Sequence, residues 1–131
     1  MPIPPLHWST PAPPRPEAHL MASRFEVRTL TDALRFLLRT PAIWKQIKGA
    51  PGAYSASLIA EPLKRTFWTL SSWESEKALH AYARAEPHRS AMTGLRTTMK
   101  TATFVSWTGS PALDWADTRR RIAEKQEEDA K

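Results

Sequence analysis

The chain has 131 residues, no cysteine and a formal net charge of +6. That length suffices for one domain with a sizeable core, and the lack of cysteine excludes disulfides, thiolate metal sites and cysteine nucleophiles. No apolar run approaches the roughly 20 residues that a membrane span needs, and the N-terminus has no signal-peptide core. A soluble cytoplasmic protein without a membrane partner is therefore expected.

The basic residues are scattered along the chain. Their one tight cluster, Arg119-Arg120-Arg121, lies beside four acids: Glu124, Glu127, Glu128 and Asp129. Neutralising the phosphates of a nucleic acid needs clustered cations, and no nucleic-acid-binding motif accompanies this charge. Nucleic acid is therefore not an expected partner.

Residues 1–17 hold seven of the twelve prolines. Proline blocks helices and sheet ladders alike, so this segment is predicted to be an extended, mobile arm. It is either a disordered tail or an arm that lies on a partner subunit with Trp8 as its anchor. The predicted domain then spans 18–110, and 111–131 form a helical tail.

The first strand is predicted over Leu20 to Arg28, where apolar and polar residues alternate. Met21, Phe25 and Val27 lie on one face, and Ala22, Arg24 and Glu26 on the other. The two charged residues either face water on an edge strand or pair in a wet cavity.

A helix follows, with Thr31-Asp32 as its predicted cap and an apolar stripe that continues beyond Pro41. Pro41 either kinks this helix or begins a second segment. The turn Gly49-Ala50-Pro51-Gly52 ends it. A second strand is predicted over Ala53 to Ala60, with Tyr54, Ala56 and Leu58 on one side.

The third strand, Thr66 to Trp73, is predicted to be buried on both faces, with Trp68 and Leu70 opposite Phe67, Thr69 and Ser71. The period then changes to about 3.6, which predicts a helix capped by Ser75 or Ser72 and stopped near Pro87. Another helical run is predicted from His88 to Lys100, a fourth strand from Thr101 to Thr108, and a last helix capped by Asp114.

The predicted order is β-α-β-β-α-β, the ferredoxin-like arrangement of the α+β class. It predicts a four-stranded antiparallel sheet with helices on one face. The other face also carries aromatic and aliphatic side chains, which one small sheet does not leave in water. Two such sheets facing one another would bury them, so a homodimer is expected.

Several residues carry a resemblance to a known family. They are Trp73-x-Ser75-Glu76-x-Ala78-Leu79, an Ala-Tyr pair ending at Tyr82, Pro87-His88-Arg89, and a strand closing on Phe104-x-Ser106-Trp107. This pattern resembles the antibiotic biosynthesis monooxygenase-like proteins of the dimeric α+β barrel superfamily, over roughly Leu20 to Gly109. The strand Thr66 to Trp73 and the tail from Trp115 to Arg121 are similar to actinobacterial monooxygenase-like members.

The resemblance implies a cavity between helices and sheet, and a small hydrophobic or aromatic, polyketide-type substrate. Relatives include oxygenases that use no cofactor, haem-degrading enzymes and domains without known chemistry. Many relatives have a histidine where this chain has Tyr82. The leading expectation is a monooxygenase without a cofactor; the alternatives are a haem enzyme with His80 or His88 as axial ligand, and a non-catalytic binding protein.

Such an oxygenase needs an apolar pocket and a polar group that deprotonates or orients a phenol. The expected catalytic residues are His80, Tyr82 and Arg24, with a histidine as the base because its pKa lies near working pH. The expected substrate-binding residues are Tyr54, Trp68, Trp73, His88, Arg89 and Trp107. Six of these residues also have a structural interpretation: exposure for His80, helix capping or packing for His88, a surface ion pair for Arg89 and core packing for the three tryptophans. No metal site is expected, because Pro87 interrupts the helix between His80 and His88 and the two histidines are not expected to converge.

Overall fold

A computed structural model describes residues 6–9, 16–86, 88–110 and 112–130. Its elements in chain order are β1 (Leu6–Ser9), β2 (Ala18–Val27), α1 (Leu30–Lys48), β3 (Ala53–Glu61), a 3₁₀ turn (Pro62–Lys64), β4 (Thr66–Trp73), α2 (Glu76–Arg84), α3 (His88–Arg96), β5 (Met99–Gly109) and α4 (Trp115–Asp129). This is an α+β, ferredoxin-like fold, as the element order predicted.

The sheet of the described residues is antiparallel and has the strand order β1-β3-β4-β2-β5. The prediction of four strands was therefore wrong. The extra strand, β1, comes from the arm, where Leu6 pairs with Leu58 and Trp8 with Ala56. Residues 6–9 contain no proline, so their N–H groups remain available to the edge of the sheet. The rest of the proline-rich segment before Pro16 lies outside the described residues.

Helices α1, α2 and α3 cover one face of the sheet, called here the three-helix face. At one end of it, Phe25 and Phe67 pack with Phe36 of α1, at ring-centroid distances of 5.1 Å and 4.5 Å from Phe36. Trp73 and Ile47 belong to a second apolar cluster at the other end. Aromatic pairs at such distances add roughly 0.5–1.5 kcal/mol beyond the burial of their area.

Helix α4 covers the opposite face, called here the α4 face. Ile122 is 1% exposed there and packs with Leu20, Ala22 and Leu70. Trp115 donates from Nε1 to Ser57 Oγ at 3.0 Å. The prediction that helices lie on one face is therefore confirmed for α1–α3 and wrong for the tail helix, whose two buried residues dock it on the sheet.

The alternation of β2 and β4 was predicted correctly, and Trp68 and Phe67 lie on opposite faces. Tyr54 was placed wrongly. The register between β3 and β4 shifts between Ala53 and Ser55, so Tyr54 packs on the α4 face while Ala56 lies on the three-helix face. A bulge of this kind adds one residue to a strand and reverses the side on which the preceding residues lie.

Two helix boundaries depart from the predictions. Thr29, not Thr31-Asp32, caps α1, since its hydroxyl accepts from Asp32 N at 3.1 Å, and α1 continues through Pro41. The run predicted to be helical to Lys100 ends at Arg96, and Met99 begins β5. The caps Ser75 and Asp114 were predicted correctly.

Candidate functional site

A polar stripe crosses the middle of the three-helix face. Along β4, Phe67 belongs to one apolar cluster and Trp73 to the other, so Thr69 and Ser71 lie between them. Ser23 of β2 faces Thr69, and their hydroxyl oxygens are 2.5 Å apart. Thr69 remains partly exposed, although β4 is the central strand and three helices cover this face. Solvent therefore reaches a polar position in the middle of a covered sheet face.

An aromatic cluster borders this stripe. Trp73 is 0% exposed, and its Nε1 donates to Ser71 Oγ at 2.8 Å. Its ring centroid lies 5.0 Å from that of Tyr82 on α2, which in turn lies 4.8 Å from that of His88 on α3. Three of the predicted site residues thus come together, and we call Trp73, Tyr82 and His88 the aromatic cluster.

Gln46 of α1 fixes the junction between α2 and α3. Its Oε1 accepts from the backbone N–H of His88 at 2.8 Å, and its Nε2 donates to the carbonyl oxygen of Tyr82 at 3.1 Å. One side chain therefore sets the spacing between Tyr82 and His88. Sequence reasoning missed Gln46, because no local pattern marks a contact across 36 or 42 positions.

The hydrogen bonding of His88 defines its tautomer. Nδ1 lies 3.1 Å from the carbonyl oxygen of Ala83. A carbonyl oxygen only accepts, so Nδ1 carries the proton and Nε2 keeps a lone pair. Burial lowers the pKa of His88, and the bond to Ala83 opposes this in part. His88 is therefore a neutral imidazole with one basic nitrogen at neutral pH.

Burial raises the pKa of Tyr82 well above its ordinary value. The phenol thus remains protonated at neutral pH and is able to donate a hydrogen bond. Tyr82 is 9% exposed, and it borders a groove of about 450 Å³ between the end of α1 and α2. Small residues line this groove beside Gln46 and Tyr82, namely Gly49, Ala50, Ala78, Ala81 and Ala85.

Two predicted site residues lie on the surface, away from the aromatic cluster. The side chain of His80 is 51% exposed, and its Nε2 lies 3.7 Å from Glu76 Oε1. Arg89 is exposed on α3. An exposed histidine beside a carboxylate matches the structural interpretation given for His80 from the sequence.

The other four predicted residues, Arg24, Tyr54, Trp68 and Trp107, lie on the α4 face. Tyr54 is buried there. Trp68 donates from Nε1 to Glu61 Oε1 at 2.7 Å, and this bond is the largest cause of the lowered pKa of Glu61. The sheet thus separates the predicted residues into two groups, and no single cavity holds them all.

His80 does not offer a sheltered haem site, because a haem there would leave most of its apolar macrocycle in water. The ring of His88 packs against Tyr82, and the bond from Nδ1 to the carbonyl oxygen of Ala83 leaves Nε2 as its one nitrogen with a lone pair. Within the described ranges, no group of three or more His, Asp or Glu side chains converges as metal ligands. The described helices also include none that is long and apolar enough to cross a membrane.

No protein-family model and no curated protein matches the chain. Solved structures do match. An antibiotic biosynthesis monooxygenase is 11% identical, with a TM-score of 0.61 over 73% of this chain and 99% of that one. A putative antibiotic biosynthesis monooxygenase from Nitrosomonas europaea is 14% identical, with a TM-score of 0.62 over 70% and 89%.

A third match is SnoaB, a cofactor-independent oxygenase from Streptomyces nogalater. That protein is 18% identical, with a TM-score of 0.55 over 74% of this chain and 97% of that one. At such identities the likeness shows the fold alone. The chain therefore shares the ferredoxin-like α+β fold of these proteins, and its chemistry has to be argued from its own residues.

Proposed function

We propose that the chain is a monooxygenase-like protein that acts on a hydrophobic aromatic, polyketide-type metabolite without a cofactor. The observation that carries this proposal is the solvent-accessible polar position at Thr69, bordered by apolar clusters and by Trp73. An apolar site with a few polar groups suits an aromatic ligand that bears hydroxyl groups. SnoaB, a cofactor-independent oxygenase, has the same fold, so this chemistry is the first to test.

His88 is the proposed base, in place of His80. Its Nε2 has a lone pair, and its neutral form is favoured by burial. Tyr82 is a protonated phenol whose ring contacts His88, so it is suited to donate to an oxygen that gains negative charge. Trp73 is fully buried, so it supports the ring of Tyr82 from within the core and does not itself contact the substrate.

In the proposed reaction the substrate supplies all the electrons. Nε2 of His88 removes a proton, and the resulting electron-rich anion reacts with O₂ at a ring carbon that carries two hydrogens. That carbon gains one oxygen atom as a carbonyl and loses both hydrogens, which leave with the second oxygen atom as water. His88 returns the proton to the departing oxygen, so no external reductant is needed.

The experiment is oxygen uptake by the purified protein with a panel of polycyclic phenols that carry such a methylene carbon. We expect His88→Gln to lower kcat/KM by about 100-fold or more, the usual contribution of a positioned base. Tyr82→Phe removes one donor and is expected to cost less. The matched control is His80→Gln, which should retain activity because His80 is exposed.

Activity that survives His88→Gln, or is lost equally in His80→Gln, would contradict the assignment of the base. Saturable binding of the phenols without oxygen uptake would instead support a non-catalytic binding protein. A haem protein would show a Soret band in its absorption spectrum after haemin titration, and that band would disappear on replacing its axial histidine.

The proposed assembly is a homodimer formed through sheet faces. Its support is the apolar character of the α4 face at the end away from Trp68, where Val105 and Trp107 remain only partly buried beside α4. Size-exclusion light scattering should give twice the chain mass of 14.8 kDa. A stable species of the single-chain mass would show that α4 alone is enough to cover this face.

A further inference from the structure

Two guanidinium groups converge on one tryptophan on the α4 face. Cζ of Arg24 lies 5.3 Å from the ring centroid of Trp68, and Cζ of Arg119 lies 4.6 Å from it. The two guanidinium carbons are therefore at most about 10 Å apart, which places two positive charges beside one aromatic ring. Stacking on an aromatic ring leaves the N–H edges of a guanidinium available to a further partner.

The next two arginines on α4, Arg120 and Arg121, are paired with carboxylates, whereas Arg24 and Arg119 are not. Arg120 bonds to Asp117 and Glu124, and Arg121 donates from Nε to Asp117 Oδ2 at 2.8 Å. Among the residues that the structure describes, neither Arg24 nor Arg119 makes an ion pair.

Glu61 is a carboxylate whose pKa is lowered in part by the charge of Arg119. The charge of Arg119 is the smallest of the causes that lower the pKa of Glu61, after the bond from Trp68 and the charge of Lys64. Glu61 also lies 3.5 Å from Lys64 Nζ, so its single negative charge is already shared with a nearer cation. The two arginines therefore keep a net positive charge.

The fold holds this pair in place. Arg24 and Trp68 are register partners on the adjacent strands β2 and β4. The indole of Trp68 is fixed by its 2.7 Å bond to Glu61. Arg119 follows Thr118, which is 1% exposed against the sheet. The backbone that carries the two arginines and the indole that they contact are therefore ordered before a ligand binds, which favours affinity.

We propose that Arg24 and Arg119, held over Trp68, bind the oxyanion of a small ligand, a carboxylate or a phosphate group. Guanidinium groups bind both anions with paired, charge-assisted hydrogen bonds. The site lies on the opposite face of the sheet from the aromatic cluster, so its ligand is distinct from the proposed metabolite. The partial exposure of Arg24 and Trp68 and the exposure of Arg119 leave it open to solvent.

The test is calorimetric titration of the full chain at constant ionic strength, with inorganic phosphate and with benzoate in separate experiments. We expect one probe to bind saturably, and its identity distinguishes the two anion classes. Kd should rise about tenfold or more in Arg24→Gln and in Arg119→Gln, because each loses charged hydrogen bonds. The control Arg120→Gln, on the same helix, should leave Kd unchanged.

The absence of saturable binding by both probes would overturn the proposal. So would an equal loss in Arg120→Gln, which would indicate a general charge effect. Should Arg24→Gln fail to fold, Arg24→Lys keeps the charge but loses the planar fork, and it too should weaken binding. None of these outcomes depends on oxygen uptake, so this site and the proposed oxygenase can fail independently.

Discussion

The two faces of the sheet are covered in different ways. The three-helix face is covered by three helices and packed with large aromatic side chains, and its residues Tyr82 and His88 are held neutral by burial. The α4 face is covered by a single helix, and arginines lie over the tryptophans Trp68 and Trp107. The first face therefore suits an uncharged aromatic ligand, and the second suits an anion.

The largest expected effect contrasts a tryptophan from each face. Trp73→Ala should lower the free energy of unfolding by about 3–5 kcal/mol, since it empties a fully buried position. Trp107→Ala should cost only about 1–2 kcal/mol, because Trp107 is partly exposed. Urea denaturation measures both values. Equal losses would mean that the two faces contribute alike to stability.

The next effect concerns whether α4 belongs to the same cooperative unit as the sheet. Ile122→Ala should destabilise the chain by about 2–4 kcal/mol, since this side chain is 1% exposed against Leu20 and Leu70. Far-UV circular dichroism and tryptophan fluorescence should then report a single shared transition. Ala123→Ser, one position further on the exposed side of α4, is the control and should change little.

An early separate loss of helical signal in Ile122→Ala would show that α4 unfolds on its own and only rests on the sheet. A loss below about 1 kcal/mol would lead to the same conclusion.

Local patterns were enough to predict much of this fold. The alternation of residues from Thr66 to Trp73 predicted which side chains lie on each face of β4. The change of period at Ser75 predicted α2 and its N-terminal cap. Strand β1 was missed because its four residues lie between prolines. Tyr54 was misplaced because the bulge near it depends on pairing with β4 and leaves no local signal.

The candidate site was predicted only in part. Trp73, Tyr82 and His88 are near one another in sequence, and short connections brought them together. Gln46, which joins them, comes from α1, and Arg119, which reaches Trp68, comes from α4. Contacts across such separations depend on how the helices dock, so local spacing does not reveal them.

A smaller effect compares the helix caps on the two faces. The Ser75 hydroxyl accepts from Ala78 N at 3.1 Å, whereas Asp114 Oδ1 accepts from Ala116 N at 2.9 Å and from Asp117 N at 3.2 Å. Replacing either residue by alanine should cost about 1 kcal/mol, with Asp114→Ala the larger because two bonds are lost. Thermal unfolding monitored by circular dichroism measures both. The reverse order would indicate that α4 contributes less to the folded state than α2.

The smallest effect is expected from the titration of His88, a single side chain. Its pKa is lowered in the folded chain from the ordinary value of 6.5 because burial disfavours the charged ring. Below pH 6.5 the unfolded chain therefore binds a proton that the folded chain does not yet bind, so stability falls as the pH falls and levels off below the folded pKa.

Urea denaturation between about pH 7.5 and about 5.5 measures this slope, because the carboxylates with lowered pKa values, Glu61, Glu86 and Asp117, titrate below that range. His88→Gln should flatten the slope there because glutamine does not titrate. His80→Gln is the matched control and should leave the slope in place, since that ring is exposed. A slope that persists in His88→Gln would mean that His88 is not the buried neutral histidine of the three-helix face. His88 would then be no better suited than the exposed His80 to act as the base.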